Sequence, residues 1–113
     1  MWFEGIKRIH RRNAEARERL RQVVMNDVFQ ALEKLSEEVS FQDVYLFGSL
    51  SKPYRFWESS DVDIAFKALD KDRLCFTISF LSRQLGRDVN VLPIEEIHFR
   101  EKILREGIRW KKK

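Results

Sequence analysis

At 113 residues, 43% of them hydrophobic and nine of them Phe, the chain can fill one core and is too short for two full domains. No apolar run approaches the length that spans a bilayer, and Met1-Trp2-Phe3 leads straight into charged sequence, which predicts no signal peptide, no membrane contact and a cytoplasmic protein. A net charge of +4 leaves an anionic partner open, while a single cysteine excludes a metal site built on sulfur.

The first predicted element is a helix over about 11–38, where Leu20, Val24, Val28, Leu32 and Leu35 recur at spacings of three and four with no Gly or Pro between them. Its approach is basic: Lys7, Arg8, Arg11, Arg12, Arg17, Arg19 and Arg21 stand against Glu4, Glu15 and Glu18, and the chain ends Lys111-Lys112-Lys113. Such a helix can touch nucleic acid, lie solvated or pack on an acidic partner. Trp2, Phe3, Ile6 and Ile9 form an apolar edge on the same segment that a partner could cover.

A strand follows at 43–47, then a loop, then a strand at 61–66. A helix is predicted over about 70–85, with Asp70 as its cap, a stripe of Leu74, Ile78 and Leu81, and Gly86 as its stop. Cys75, among Leu74, Phe76 and Ile78, reads as a buried packing residue. A strand at 88–92 comes next, and Ile94-Glu95-Glu96 opens a short last helix with Pro93 before it and Gly107 to end it. The order is α/β. His10 and His98 lack ligand spacing and read as surface or packing residues.

The chemistry concentrates between the first two strands. Asp61 and Asp63, two residues apart on a strand, project from one face, while Val62 and Ile64 enter the core. Two adjacent carboxylates repel unless solvated or bridged, and a hard cation such as Mg²⁺ suits one or two carboxylates plus phosphate oxygens. Upstream, Phe47-Gly48-Ser49 ends a buried strand in a turn whose missing side chain lets a ligand approach the backbone. Gly48 and Ser49 could hold a triphosphate, with Lys52 or Arg55 neutralising charge. Phe56 and Trp57 lie in the loop between, where they could stack on a nucleobase or pack back on the domain.

Phe47-Gly48-Ser49-Leu50-Ser51-Lys52 followed by Ser60-Asp61-Val62-Asp63-Ile64-Ala65 resembles the signature of the minimal nucleotidyltransferases, small relatives of polymerase beta and kanamycin nucleotidyltransferase. Gly86-Arg87-Asp88-Val89-Asn90-Val91-Leu92-Pro93 resembles the family's third-acid strand, and Leu104-Arg105-Glu106-Gly107-Ile108 its usual ending. The resemblance covers about 23–113 and leaves 1–22 as a basic helical extension. It implies an α+β nucleotidyltransferase fold, a small mixed sheet flanked by helices, with Asp61 and Asp63 holding Mg²⁺. It also implies ATP as donor, an AMP unit passed to a protein hydroxyl, and a helical HEPN-domain toxin as partner, for which the chain would be the antitoxin.

Two departures from the pattern stand out. The family's late strand usually reads Gly-Arg-Pro-Val-Asp, so Asn90 occupies the place of the third carboxylate and Asp88 that of the proline. An amide can offer a carbonyl oxygen to a metal but cannot take a proton as a general base. Asp88 shares a strand face with Asn90 but stands about 6–7 Å along it. The second departure is Lys52-Pro53-Tyr54-Arg55-Phe56-Trp57, bulkier than the small residue and Arg-Gly pair usual there. Three readings follow: an active transferase with Asp88 in the acid's part, a module that binds nucleotide or toxin without transfer, and a nucleic-acid-associated basic protein. A homo-oligomer is compatible with each.

Overall fold

The computed structural model describes residues 2–111, apart from the side chain of Trp2, so that Trp2's part in the apolar edge and the charges of Lys112 and Lys113 lie outside the described residues. The helical spacing of Leu20, Val24, Val28, Leu32 and Leu35 is realised in α1 (Trp2–Leu35), which begins earlier than expected and gives way to turns at 36–38. It runs unbroken through residues 22 and 23. Strand β1 (Asp43–Phe47) leads into a 3-10 turn at Gly48–Ser51, and β2 (Val62–Lys67) follows the long loop.

The expected helix over 70–85 divides in two. Asp70 accepts from the Asp72 N–H and caps a 3-10 turn at Lys71–Arg73, and α2 starts only at Leu74 and ends at Leu85. Strand β3 is Val89–Pro93. Ile94–Glu96 forms a 3-10 turn rather than the start of a helix, and α3 is Arg100–Glu106. A fourth strand, β4 (Ile108–Lys111), follows Gly107, where the sequence predicts no element. Its cue was an alternation of apolar and charged residues four positions long. Gly107 before it cannot carry a side chain, because a Cβ would meet the carbonyls of Ile103 and Leu46 at 2.6 and 3.0 Å.

The sheet order is β3-β2-β1-β4, with β2 parallel to β3 and the other pairs antiparallel. Period-two alternation sorts the side chains. One face carries Val44, Leu46, Val62, Ile64, Phe66, Val89 and Val91 into a core completed by α1 and α2. The other presents Tyr45 and Ala65 to Ile94, Ile97 and Ile103, so α3 and the turn before it cover that side. Phe66, fully buried, meets Phe41 edge-on with ring centroids 5.2 Å apart. Cys75 is exposed, not buried. It follows Leu74 by one residue and so turns about 100° away from the stripe of Leu74, Ile78 and Leu81.

Candidate active site

The second sheet face runs out of apolar residues where β1 ends and β2 and β3 begin, and the acids sit along that edge. Phe47 stands opposite Asp63 in the antiparallel register, and Asp63 stands opposite Asn90 in the parallel one. Val62 and Ile64 are fully buried on the other face, as alternation requires. Gly48 turns the chain with a φ of +69°, and a Cβ there would collide with the Asp63 carboxylate. The turn and the acid are therefore packed together at a distance only glycine permits.

Asn90 bridges the two carboxylates. Its Nδ2 donates to Asp63 Oδ1 at 2.8 Å and lies 3.5 Å from Asp61 Oδ2. The two hydrogens of one amide thus face two like charges that would otherwise repel. Asp88 lies just before β3, where its backbone carbonyl accepts from the Val62 N–H at 3.1 Å. Its exposed side chain makes no hydrogen bond or ion pair among the described residues, whereas Asn90 donates directly to the acid pair.

The loop at 52–60, which joins the Gly48 turn to Asp61, is held by α1. Arg21 is buried at 7% exposure and donates from Nη1 to the Leu50 carbonyl at 2.9 Å and from Nε to Glu18 at 2.8 Å. Glu18 accepts the Tyr54 N–H at 2.8 Å, and Arg17 donates to the Tyr54 carbonyl at 3.3 Å. Tyr54 has a φ of +64°, a left-handed conformation costly for a residue with a Cβ, and α1 grips it at both its N–H and its C=O. The hydrogen bond from Arg21, followed by that from Tyr54, holds the Glu18 carboxyl below the ordinary carboxylate range against an opposing desolvation.

The rest of the loop closes on itself and on β3. The Trp57 N–H donates to Ser60 Oγ at 2.9 Å, and the Ser60 N–H returns to the Trp57 carbonyl at 3.0 Å. Arg87 donates to the Ser60 carbonyl at 3.0 Å while its guanidinium lies 4.9 Å from the Phe56 ring. It therefore fixes the residue immediately before Asp61. Phe56 is fully buried, which removes it from base stacking. Trp57 is 55% exposed, with the Arg17 guanidinium 4.2 Å over its ring.

Gly48 and Lys52 come together at a cavity of about 150 Å³, which Phe47, Phe99 and Lys102 also line. Ser49 lies in the same turn, half-buried, with no hydrogen-bond partner for its hydroxyl among the described residues. Arg55 is exposed, contributes nothing to that cavity and makes no side-chain hydrogen bond or ion pair there. Arg17, Glu18, Arg21, Arg87 and Lys102 carry no sign in the sequence of their place around the site. Glu18 and Arg21 were visible as an i, i+3 pair, but nothing in that spacing announces a loop more than thirty residues on.

Among the described residues no three His, Cys, Asp or Glu side chains cluster as a metal site. The donor set at the sheet edge is two carboxylates and one amide. No helix among the described residues is long and apolar enough to cross a membrane.

No curated protein matches the chain. Solved structures share its fold. A chain from the crystal structure of a toxin–antitoxin with AMP-PNP superposes with a TM-score of 0.60 at 24% identity, covering 78% of this chain and 73% of that one. Two mutants of the toxin–antitoxin MntA-HpeT give TM-scores of 0.57 and 0.56 at 23% identity, covering 79% and 78% of this chain and 72% and 73% of theirs. The description "Polymerase beta, Nucleotidyltransferase" matches residues 30–112, which span β1 to β4 and every residue of the acid edge, and the chain belongs to that family.

Proposed function

We propose that the acid edge binds a nucleoside triphosphate, ATP by preference, with Mg²⁺, and transfers AMP to a hydroxyl of a HEPN-domain toxin for which this chain is the antitoxin. The observation that carries the reading is the packing of Asp63 against Gly48, with Asn90 Nδ2 between the Asp63 and Asp61 carboxylates. That is where a cation would be held, and a turn of the Asn90 amide would exchange its N–H for a carbonyl oxygen, an acceptable ligand for a hard ion. Mg²⁺ bound there supplies charge neutralisation for the triphosphate.

The residues of this chain have the remaining tasks. Gly48 and Ser49 would cradle the phosphates, and Lys52 would balance charge on the departing pyrophosphate. The acceptor oxygen bonds to the α-phosphorus as the bond from that phosphorus to the β-bridging oxygen breaks, so positioning dominates the chemistry. Asn90 cannot take the hydroxyl proton, which leaves Asp88 or solvent. The similarity to toxin–antitoxin structures, one with AMP-PNP, supports the nucleotide and the toxin as partners.

Asn90 also favours a second reading. An amide that already satisfies both carboxylates suits a domain that binds nucleotide or toxin without transfer. The two separate when the protein is incubated with α-labelled ATP and Mg²⁺, alone and with the protein encoded beside it. Label passed to a protein, and lost in Asp61→Ala/Asp63→Ala, supports transfer. ATP or partner binding without label supports the binding module.

A further inference from the structure

Helix α1 is 34 residues long, about 50 Å at the usual helical rise. Between residues 3 and 16 every side chain is exposed except those of Ile6 and Ala14, which are half-buried. This stretch precedes the segment that matches the family, which starts at residue 30. A helix of such length without packing is marginal in water, where most helical stability comes from a buried face.

Ile6, Ile9, Asn13, Ala16, Leu20 and Val23 follow one another at spacings of three, four, three, four and three. That is the a/d seam of a heptad repeat, with Ile6, Asn13 and Leu20 at a and Ile9, Ala16 and Val23 at d. Ile9 and Val23 are 57% and 59% exposed. The middle of the seam opens on a groove of about 740 Å³, where Trp57 and Glu58 stand across from Asn13, Ala16 and Leu20. A lone Asn at an a position is the device by which paired helices fix register at some cost in stability.

The flanks say what kind of helix fits. At the e and g positions beside the seam stand His10, Arg12, Arg17 and Arg19, and no acid; Arg17 is already engaged by the Tyr54 carbonyl and the Trp57 ring, so Arg12 and Arg19 carry the free positive charge of the flanks. The segment's carboxylates, Glu4, Glu15 and Glu18, fall at c or f, away from the seam. In a parallel pair of copies Arg12 of one would face Arg17 of the other, and an antiparallel pair sets arginine against arginine as well. Like charges at these positions disfavour self-pairing.

We propose that the overhanging half of α1 is a docking surface for an amphipathic helix of another protein, with acidic residues flanking its apolar seam, paired as a coiled coil in the register set by Asn13. The surface is distinct from the acid edge and does not depend on nucleotide transfer.

A synthetic three-heptad peptide tests this, with Ile at a, Leu at d, one central Asn at a, and Glu at every e and g. Its control carries Lys at e and g. The full chain should bind the Glu peptide one to one, about tenfold or more tighter than the Lys peptide, with affinity falling as salt rises. Ile6→Asp/Ile9→Asp should abolish binding and leave the thermal midpoint of the domain unchanged, because both residues lie outside its core. Equal affinity for the two peptides, or no binding to either by a folded protein, would overturn the proposal. So would sedimentation of the free chain as a dimer that Ile6→Asp/Ile9→Asp converts to monomer, since the occupant would then be a second copy.

Discussion

On the sheet side of the site, Asp63 and Asn90 face one another because β2 and β3 pair in parallel register, and the backbone ladder alone sets their places. On the loop side, Tyr54 is placed by Arg17 and Glu18, 37 and 36 residues away in sequence, through side chains that reach from α1. The sheet side is thus fixed by many shared backbone hydrogen bonds, and the loop side by a few polar contacts around one strained residue. A ladder resists single substitutions that a clasp does not. The acid side of the site is built on strands, and the loop side hangs from a helix.

The comparison can be broken at both ends. The largest effect is expected at Asn90. If the missing third acid limits transfer, Asn90→Asp should raise it by about 10²-fold, the usual worth of a general base, and should do little if Asp88 already serves. Label transfer from ATP distinguishes the two. Gly48→Ala comes next. It forces a Cβ into the Asp63 carboxylate at a positive φ, and should cost about 2 kcal/mol in denaturant unfolding while weakening triphosphate binding.

On the loop side, Arg21→Ala leaves the buried Leu50 carbonyl without the Arg21 donor and strips Glu18 of its cation while Tyr54 and Gln22 still donate to it, for a loss of about 2 kcal/mol. Limited proteolysis should then cut within 52–60 before the sheet yields. The smallest effect is a pH dependence. Glu18 has a lowered pKa, so its contribution is complete above the ordinary carboxylate value and is lost as pH falls through its own lower one. The thermal midpoint of wild type should drop relative to Glu18→Gln below about pH 4, and the two should run in parallel above about pH 5.

What was legible in the sequence follows the same division. The alternation of Asp61, Val62, Asp63 and Ile64 placed the carboxylates and the core correctly, because strand geometry repeats every two residues. The place of Asn90 beside Asp63 was legible only through the family pattern, since strand pairing is not written in either strand alone. Phe56 and Trp57 looked alike as loop aromatics, yet one is fully buried and the other half in solvent. Phe56 joins the hydrophobic core while Trp57 stays outside it beneath the Arg17 guanidinium, and the loop itself contains neither set of partners. Strand β4 was passed over because Arg109 and Lys111 read as charge, although Trp110 between them is buried and Arg109 pairs with Asp43 at 3.1 Å. The basic character of α1 was likewise misleading in part, since Arg17 and Arg21 face the loop.

The most direct test of the central claim is equilibrium binding of α-labelled ATP as Mg²⁺ is titrated, for wild type and for Asp61→Ala/Asp63→Ala. Binding that rises with Mg²⁺ in wild type and is lost in the double variant, with the variant still folded, is the predicted result. Binding of equal strength in both proteins, or binding in wild type indifferent to Mg²⁺, would contradict the assignment of Asp61 and Asp63 as the metal-holding acids of a nucleotide site.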